Sequence, residues 1–204
     1  MPNGPAKRHL FIVVILLAAV SAQAEETVDV LMATDRGDIR IELYPEKAPV
    51  TVANFLRYVE GGHYDGATFY RTVTLENDNG SPKIEVIQGG IGEDPPFKPI
   101  PHENTGMTGI RHTDGVISMA RGEVGTASSE FFIVIGDQPG LDQGGIRNPD
   151  EQGFAAFGRV VRGMEVVRAI NASPADAPSD DPYTTGQIIE EPVVIRTVRL
   201  SDEP

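Results

Sequence analysis

Residues 28–60 read VDVLMATDRGDIRIELYPEKAPVTVANFLRYVE, and the change of period inside this stretch decides the class of fold. In Asp38–Leu43 (DIRIEL), Ile39, Ile41 and Leu43 face one way and Asp38, Arg40 and Glu42 the other. That alternation is the mark of a strand with one wet face. Val28–Thr34 (VDVLMAT) reads as a second strand, and the Gly-bearing loop Asp35-Arg36-Gly37 joins the two as a hairpin. Pro49–Glu60 then changes period. Val52, Phe55, Leu56 and Val59 form one apolar stripe, so a helix starts at Pro49 or Thr51 and stops at Gly61-Gly62.

Outward from this core pattern lie further strand-like runs at Thr68–Val73 (TFYRTV), Ile84–Gln88 (IEVIQ), Val116–Ala120, Glu130–Ile135 (EFFIVI), Ala155–Val160 and Val193–Val198. Met164–Asn171 is a second short helix with Met164, Val167 and Ile170 on one face. A polar connection, Thr74–Lys83, carries the turn signal Asn79-Gly80, and long Gly/Pro loops fill 89–115 and 136–153. Residues 172–187 are acidic and Pro-rich, which predicts a surface loop. Gly is 22 and Pro 16 of 204 residues, a turn-rich chain below the level of wholesale disorder. Eight strands with one early and one late helix predict a mainly β fold: a closed eight-stranded antiparallel barrel capped by two short α-helices. No repeat or linker divides residues 25–204, which read as one domain.

The N-terminus reads as an address. Lys7 and Arg8 precede the apolar run Leu10–Val20, and Ala22-Gln23-Ala24 supplies small residues at the right spacing. This is signal-peptide grammar, with cleavage expected after Ala24 and residues 1–24 removed. The apolar run is shorter than the ~20 residues that cross a bilayer, so no stable membrane anchor is expected. The style of the signal points to the bacterial periplasm.

Composition excludes whole classes of chemistry. The net charge of −13 opposes a phosphate-reading nucleic-acid binder. With no Cys there are no disulfides, thiolate nucleophiles or Cys-ligated metals. His102-Glu103 starts like a zinc-protease helix, but position 106 is Gly where a second His is required. No metal and no cofactor is expected. Asp78-Asn79-Gly80 reads as a turn, and Gly89-Gly90-Ile91-Gly92 as backbone geometry. Ser118, Ser128 and Ser129 lack a nucleophile elbow.

A constellation does stand out. Phe69-Tyr70-Arg71 puts an Arg on a strand, and Val86-Ile87-Gln88-Gly89-Gly90 ends the next with an amide and two glycines. Ile117-Ser118-Met119-Ala120-Arg121, Ser129-Glu130-Phe131-Phe132-Ile133, Leu141-Asp142 and Phe157-Gly158-Arg159-Val160 follow in order. In this order and spacing they resemble the cyclophilin family of peptidyl-prolyl isomerases, from about Val28 to Leu200, and the bacterial periplasmic branch most closely. The resemblance implies the same capped eight-stranded barrel. It implies catalysis of rotation about X-Pro bonds in proline-containing polypeptides, assisting the folding of exported proteins, by a protein expected to be a monomer. A cyclophilin-like peptide-binding module or chaperone with little turnover is the alternative.

By that resemblance Arg71 is the catalytic donor and Gln88 the amide that supports it. Phe132 is the floor of the proline pocket, Leu141 and Val86 are walls, and Ala120 with Arg121 is the rim. Phe154 and Glu130 also fall at substrate-binding positions. Glu85 and Val86 stand where the family has Phe-Met, Glu130 where it has Gln, Gly140 where it has an aromatic, and Phe154 where it has His or Tyr. The pocket is therefore expected to lose part of its apolar wall. Glu130 is expected on the rim as a partner of Arg71, with Glu85 open to the same groove and solvent as the alternative for both. Such pairing would make the groove acidic and favour Lys or Arg beside proline.

Overall fold

The computed structural model describes Met1, residues 26–92 and residues 94–201. Apart from Met1, the signal segment read over 1–24 lies outside the described residues. Eight strands form, β1 (Val28–Thr34), β2 (Gly37–Leu43), β3 (Thr68–Val73), β4 (Val86–Gly90), β5 (Val116–Met119), β6 (Phe131–Val134), β7 (Ala155–Arg162) and β8 (Ile188–Leu200). They close in the order β1-β2-β7-β5-β6-β4-β3-β8, with every pairing antiparallel. Closure removes the exposed sheet edges that would otherwise pair with other chains.

Helix α1 (Pro49–Glu60) and α3 (Met164–Asn171) sit where the 3.6 period places them. Between them a four-residue helix, α2 (Thr105–Thr108), corrects the reading of 89–115 as loop throughout and makes three α-helices among the described residues rather than two. It is too short to show a period, and Asn104 starts it by accepting hydrogen bonds from the backbone N–H groups of Gly106 and Met107. β8 also starts earlier than the Val193–Val198 run, at Ile188.

The apolar stripe of α1 explains its seat. Phe55 is fully buried against Tyr64, Phe131 and Phe157, with ring centroids 5.1, 5.8 and 5.2 Å away. α1 thus plugs the mouth of the barrel where β6 begins. α3 closes the other mouth: its last residue, Asn171, donates to the Val73 carbonyl, and its backbone carbonyl accepts from Thr72 Oγ1 at the end of β3. α1 has no capping side chain of its own at Ala48. Glu103 supplies one from the long loop, accepting from Val50 N (3.1 Å), Thr51 N (2.7 Å) and Thr51 Oγ1 (2.7 Å). A carboxylate there meets both the unpaired N–H groups and the positive end of the helix dipole. The His102-Glu103 pair is thus a structural clamp, with His102 Nε2 3.1 Å from the Gln152 carbonyl.

Strand alternation divides Phe131-Phe132. Phe131 points into the barrel, edge-on to Phe55, Tyr64 and Phe69. Phe132 points the other way and meets His112 and Phe154 on the outer face. One residue of the pair is core and the other is surface architecture for a site on the barrel wall.

Candidate active site

The site grows from an irregularity in β3. Phe69 pairs with Gly89 and Arg71 with Gln88, so Tyr70 is an extra residue with no partner of its own on β4. This bulge brings two consecutive side chains, which ordinary alternation would send to opposite faces, against one neighbour. Arg71 Nη1 donates to Gln88 Oε1 (2.9 Å), and Gln88 Nε2 donates to the Tyr70 hydroxyl (2.7 Å).

On its other side Arg71 is held by Gln187, whose Oε1 accepts from both Nε (3.0 Å) and Nη2 (2.6 Å). Gln187 is fully buried and its Nε2 donates to the Asn77 carbonyl (2.9 Å). Three of the five guanidinium N–H groups therefore go to two neutral amide oxygens. Burial pushes the Arg71 guanidinium down from its usual value, yet an Arg starts so high that it stays charged. Its positive charge has no carboxylate within hydrogen-bond distance among the described residues.

Arg71 borders a cavity of about 310 Å³ on the barrel wall. Phe132, Leu141, Val86, Phe154, Ile84 and Ala120 supply apolar lining, with Gln88, Arg121, Arg147 and Tyr183 around it. Phe154 packs edge-on to Phe132 at 5.2 Å, and the Arg121 guanidinium lies 5.2 Å from the Phe154 ring centroid. Arg121 is itself a wall element. It donates to the Gly153 carbonyl and forms a two-bond pair with Asp150 (2.7 and 2.9 Å), which holds that carboxyl down at about 2.

Eight of the nine residues expected in the site, Arg71 and Gln88 among them, border this cavity; Glu130 is the exception. It does not border the cavity and does not touch Arg71 by a hydrogen bond. It accepts instead from the Tyr70 hydroxyl (2.8 Å), Gly92 N (2.9 Å) and Ser129 Oγ (3.3 Å). Glu85 is turned away as well: alternation along 84, 86 and 88 sends Ile84, Val86 and Gln88 to the cavity. The Glu85 carboxyl lies on the far side, pushed up by burial and by Glu76 while Arg168 opposes the rise. Ile84 thereby supplies apolar wall that the sequence comparison assigned to position 85. At Gly140 a Cβ would meet Pro82 Cγ at 2.5 Å, so proline from the long 74–83 connection occupies the space of a side chain there. The groove carries the unneutralised charge of Arg71, and the expected preference for basic peptides loses its basis.

Sequence reading missed Gln187, Arg147 and Tyr183, all from segments read as loop. Arg147 Nη1 and Nη2 bind the two oxygens of buried Asp78 (2.7 and 2.8 Å), and Nη2 also donates to the Tyr183 hydroxyl (2.5 Å). The Tyr183 ring lies between two cations, with its centroid 5.5 Å from Arg71 Cζ and 5.5 Å from Arg147 Cζ.

Beneath the floor, His112 Nδ1 lies 2.8 Å from Asp142 Oδ1 and His112 Nε2 lies 3.0 Å from Ser118 Oγ. This has the order of a hydrolase triad, but Ser118 is 0 % and His112 1 % exposed. No substrate reaches that hydroxyl. The imidazole is stacked on Phe132 at 5.9 Å and 17°, so the network braces the floor of the cavity. Among the described residues no group of three or more His, Asp or Glu side chains is placed to hold a metal ion.

A family model, "Cyclophilin type peptidyl-prolyl cis-trans isomerase/CLD", matches residues 29–198. The chain belongs to the cyclophilin-type peptidyl-prolyl cis-trans isomerases. It is 35% identical over 202 residues to peptidyl-prolyl cis-trans isomerase A of Dickeya dadantii, covering 96% of this chain and 98% of that one. To peptidyl-prolyl cis-trans isomerase B of Escherichia coli K12 it is 32% identical over 180 residues, covering 83% and 97%. A crystal structure of a Cryptosporidium parvum cyclophilin-type isomerase shares the fold with a TM-score of 0.67 at 20% identity, covering 88% of this chain and 100% of that one. A second structure of that protein was obtained in the presence of the dipeptide Ala-Pro. The chain is thus a peptidyl-prolyl cis-trans isomerase.

Asp78→Ala tests the wall. Burial pushes the Asp78 carboxyl up, but hydrogen bonds from Arg147, Gly80 and Ile84 outweigh it and hold it below 3.8. Deleting it leaves a buried cation unpaired, for an expected loss of about 3–5 kcal/mol in chemical denaturation. Because the folded value is depressed, the stabilisation is present above pH 3.8 and is lost as pH falls through the folded value. The variant should show a weaker acid dependence than the parent.

Proposed function

We propose that Arg71 carries the isomerisation, acting on proline-containing polypeptides exported together with this protein. The X-Pro amide rotates over a barrier of ~18–20 kcal/mol because its C–N bond has partial double-bond character. Breaking that resonance needs no nucleophile. It needs a proline ring held still and a donor aimed at the imide nitrogen as it becomes pyramidal, which is selective binding of the twisted state. The floor of Phe132, with Val86, Leu141 and Phe154 around it, suits the ring. Ala120 and Arg121 form the rim along which the flanking backbone would run, and Gln88 supports Arg71 from β4.

The observation that carries this reading is the pairing of Arg71. Its charge is oriented by the oxygens of Gln88 and Gln187 and neutralised by neither. An amide oxygen fixes direction while leaving the cation able to answer the electron density that collects on nitrogen. The Ala-Pro dipeptide used with the Cryptosporidium parvum protein is the minimal ligand of this kind.

Arg71→Ala should lower catalysed exchange of an X-Pro peptide by ~10²-fold, the scale for losing one preorganised electrostatic donor. Wild-type turnover in that variant would remove Arg71 from the mechanism. The export reading rests on Lys7-Arg8, Leu10–Val20 and Ala22-Gln23-Ala24, and places the protein in the periplasmic branch. Mass spectrometry of the natural protein from the periplasmic fraction should find Glu25 at its N-terminus; a chain retaining Leu10–Val20 would contradict it.

A further inference from the structure

Glu130 lies away from the cavity, yet its contacts have a consistent direction. Its two oxygens meet three donors and no acceptor: the Tyr70 hydroxyl, Gly92 N and Ser129 Oγ. Burial pushes the Glu130 carboxyl up, and these hydrogen bonds oppose the rise; three donors directed at its two oxygens are the partners a carboxylate, which only accepts, requires. We propose that Glu130 is a positioning residue of the isomerase site, setting through Tyr70 which way round the Gln88 amide sits and so how Arg71 is held.

One proton decides the orientation. Tyr70 has a single hydroxyl hydrogen, and Glu130 Oε2 takes it at 2.8 Å. The phenol oxygen then offers only lone pairs to its other neighbour. Gln88 must therefore face it with Nε2, at 2.7 Å. With the nitrogen committed, Oε1 faces Arg71 Nη1 at 2.9 Å. The two ends of an amide are nearly the same shape, so packing alone would not choose between them. Reversal would set N–H against N–H at Arg71. A phenol free to donate toward Gln88 would favour that reversal.

The seat for the carboxylate is built into the backbone. A Cβ at Gly90 would lie 2.1 Å from Glu130 Oε1, so the group fits there only because position 90 has no side chain. Burial and the nearby Glu130 charge push the Tyr70 phenol well above its usual value, which keeps it a donor. The Gln187 amide on the other side of Arg71 has its own lock at the Asn77 carbonyl. Loss of the Glu130 chain should therefore loosen one of two holds on Arg71 and leave the other.

This inference rests on the reading of Arg71 as the working donor, and the test separates the two. Turnover by exchange NMR on an X-Pro peptide, peptide Kd, melting temperature and the Gln88 side-chain amide signals are compared for wild type, Arg71→Ala, Tyr70→Phe, Glu130→Ala and Glu130→Gln. Tyr70→Phe and Glu130→Ala should each lose ~10-fold in turnover, the scale for removing a group that orients a functional one. Kd should stay within about twofold, because the ring pocket is intact, and the Gln88 amide signals should move. Glu130→Gln, which still offers an oxygen to Tyr70, should recover most of the loss seen in Glu130→Ala. Tyr70→Phe removes one oxygen atom, so it decides the matter if Glu130→Ala folds poorly. Wild-type turnover in Tyr70→Phe, or a Glu130→Gln as slow as Glu130→Ala, overturns the proposal while Arg71→Ala remains slow. Full activity in Arg71→Ala overturns the reading beneath it.

Discussion

One extra residue in β3 organises the site. Because Tyr70 has no partner on β4, it and Arg71 both reach Gln88, where an even strand would have sent one of them into the barrel. The guanidinium then lies between two amides, with Gln88 on β4 and Gln187 just ahead of β8. A carboxylate in either place would bind the cation more strongly and spend its charge. The neutral clamp is weaker and leaves the charge unneutralised. The closed barrel makes this possible, since β3 is hydrogen-bonded on both sides, to β4 and to β8.

The remainder of the site is a division of labour between faces. Phe131 serves the core and Phe132 the cavity, and the buried network of His112, Asp142 and Ser118 holds the second ring from below. Burial raises the Asp142 carboxyl, but its hydrogen bonds with His112 prevail and hold it below the usual range. Polar groups inside a protein stabilise a single arrangement when every member is satisfied. Here they fix the attitude of an aromatic surface rather than perform chemistry of their own. The loops 74–83 and 172–187 act similarly at the rim, joined through Arg147, Asp78 and Tyr183.

Much of this was legible in the residues. Alternation in Asp38–Leu43 and the stripe of Val52, Phe55 and Val59 placed a hairpin and a helix without any comparison, and the family resemblance singled out Arg71, Gln88 and Phe132, which border one cavity. What was not legible came from long-range contact. Gln187 meets Arg71 across 116 positions and Arg147 meets Asp78 across 69, and neither partner sits in a periodic segment. Glu130 was assigned to Arg71 by position along its strand, whereas the bulge puts Tyr70 between them. Glu85 was left open between groove and solvent because of the long 74–83 connection, and alternation along Ile84, Val86 and Gln88 turns it away from the cavity. α2 and the early start of β8 were missed because four residues and an Ile-Ile-Glu-Glu-Pro run show no clear period.

The claim on which the account depends is that Arg71 works as a clamped, directional fork and not merely as a positive charge. Arg71→Lys keeps the charge and removes the fork. Catalysed cis–trans exchange of an X-Pro peptide, measured by exchange NMR beside the peptide Kd, tests this most directly. The account predicts turnover lower by at least ~10-fold with peptide affinity nearly unchanged. A lysine variant that isomerises the peptide at the wild-type rate would contradict it.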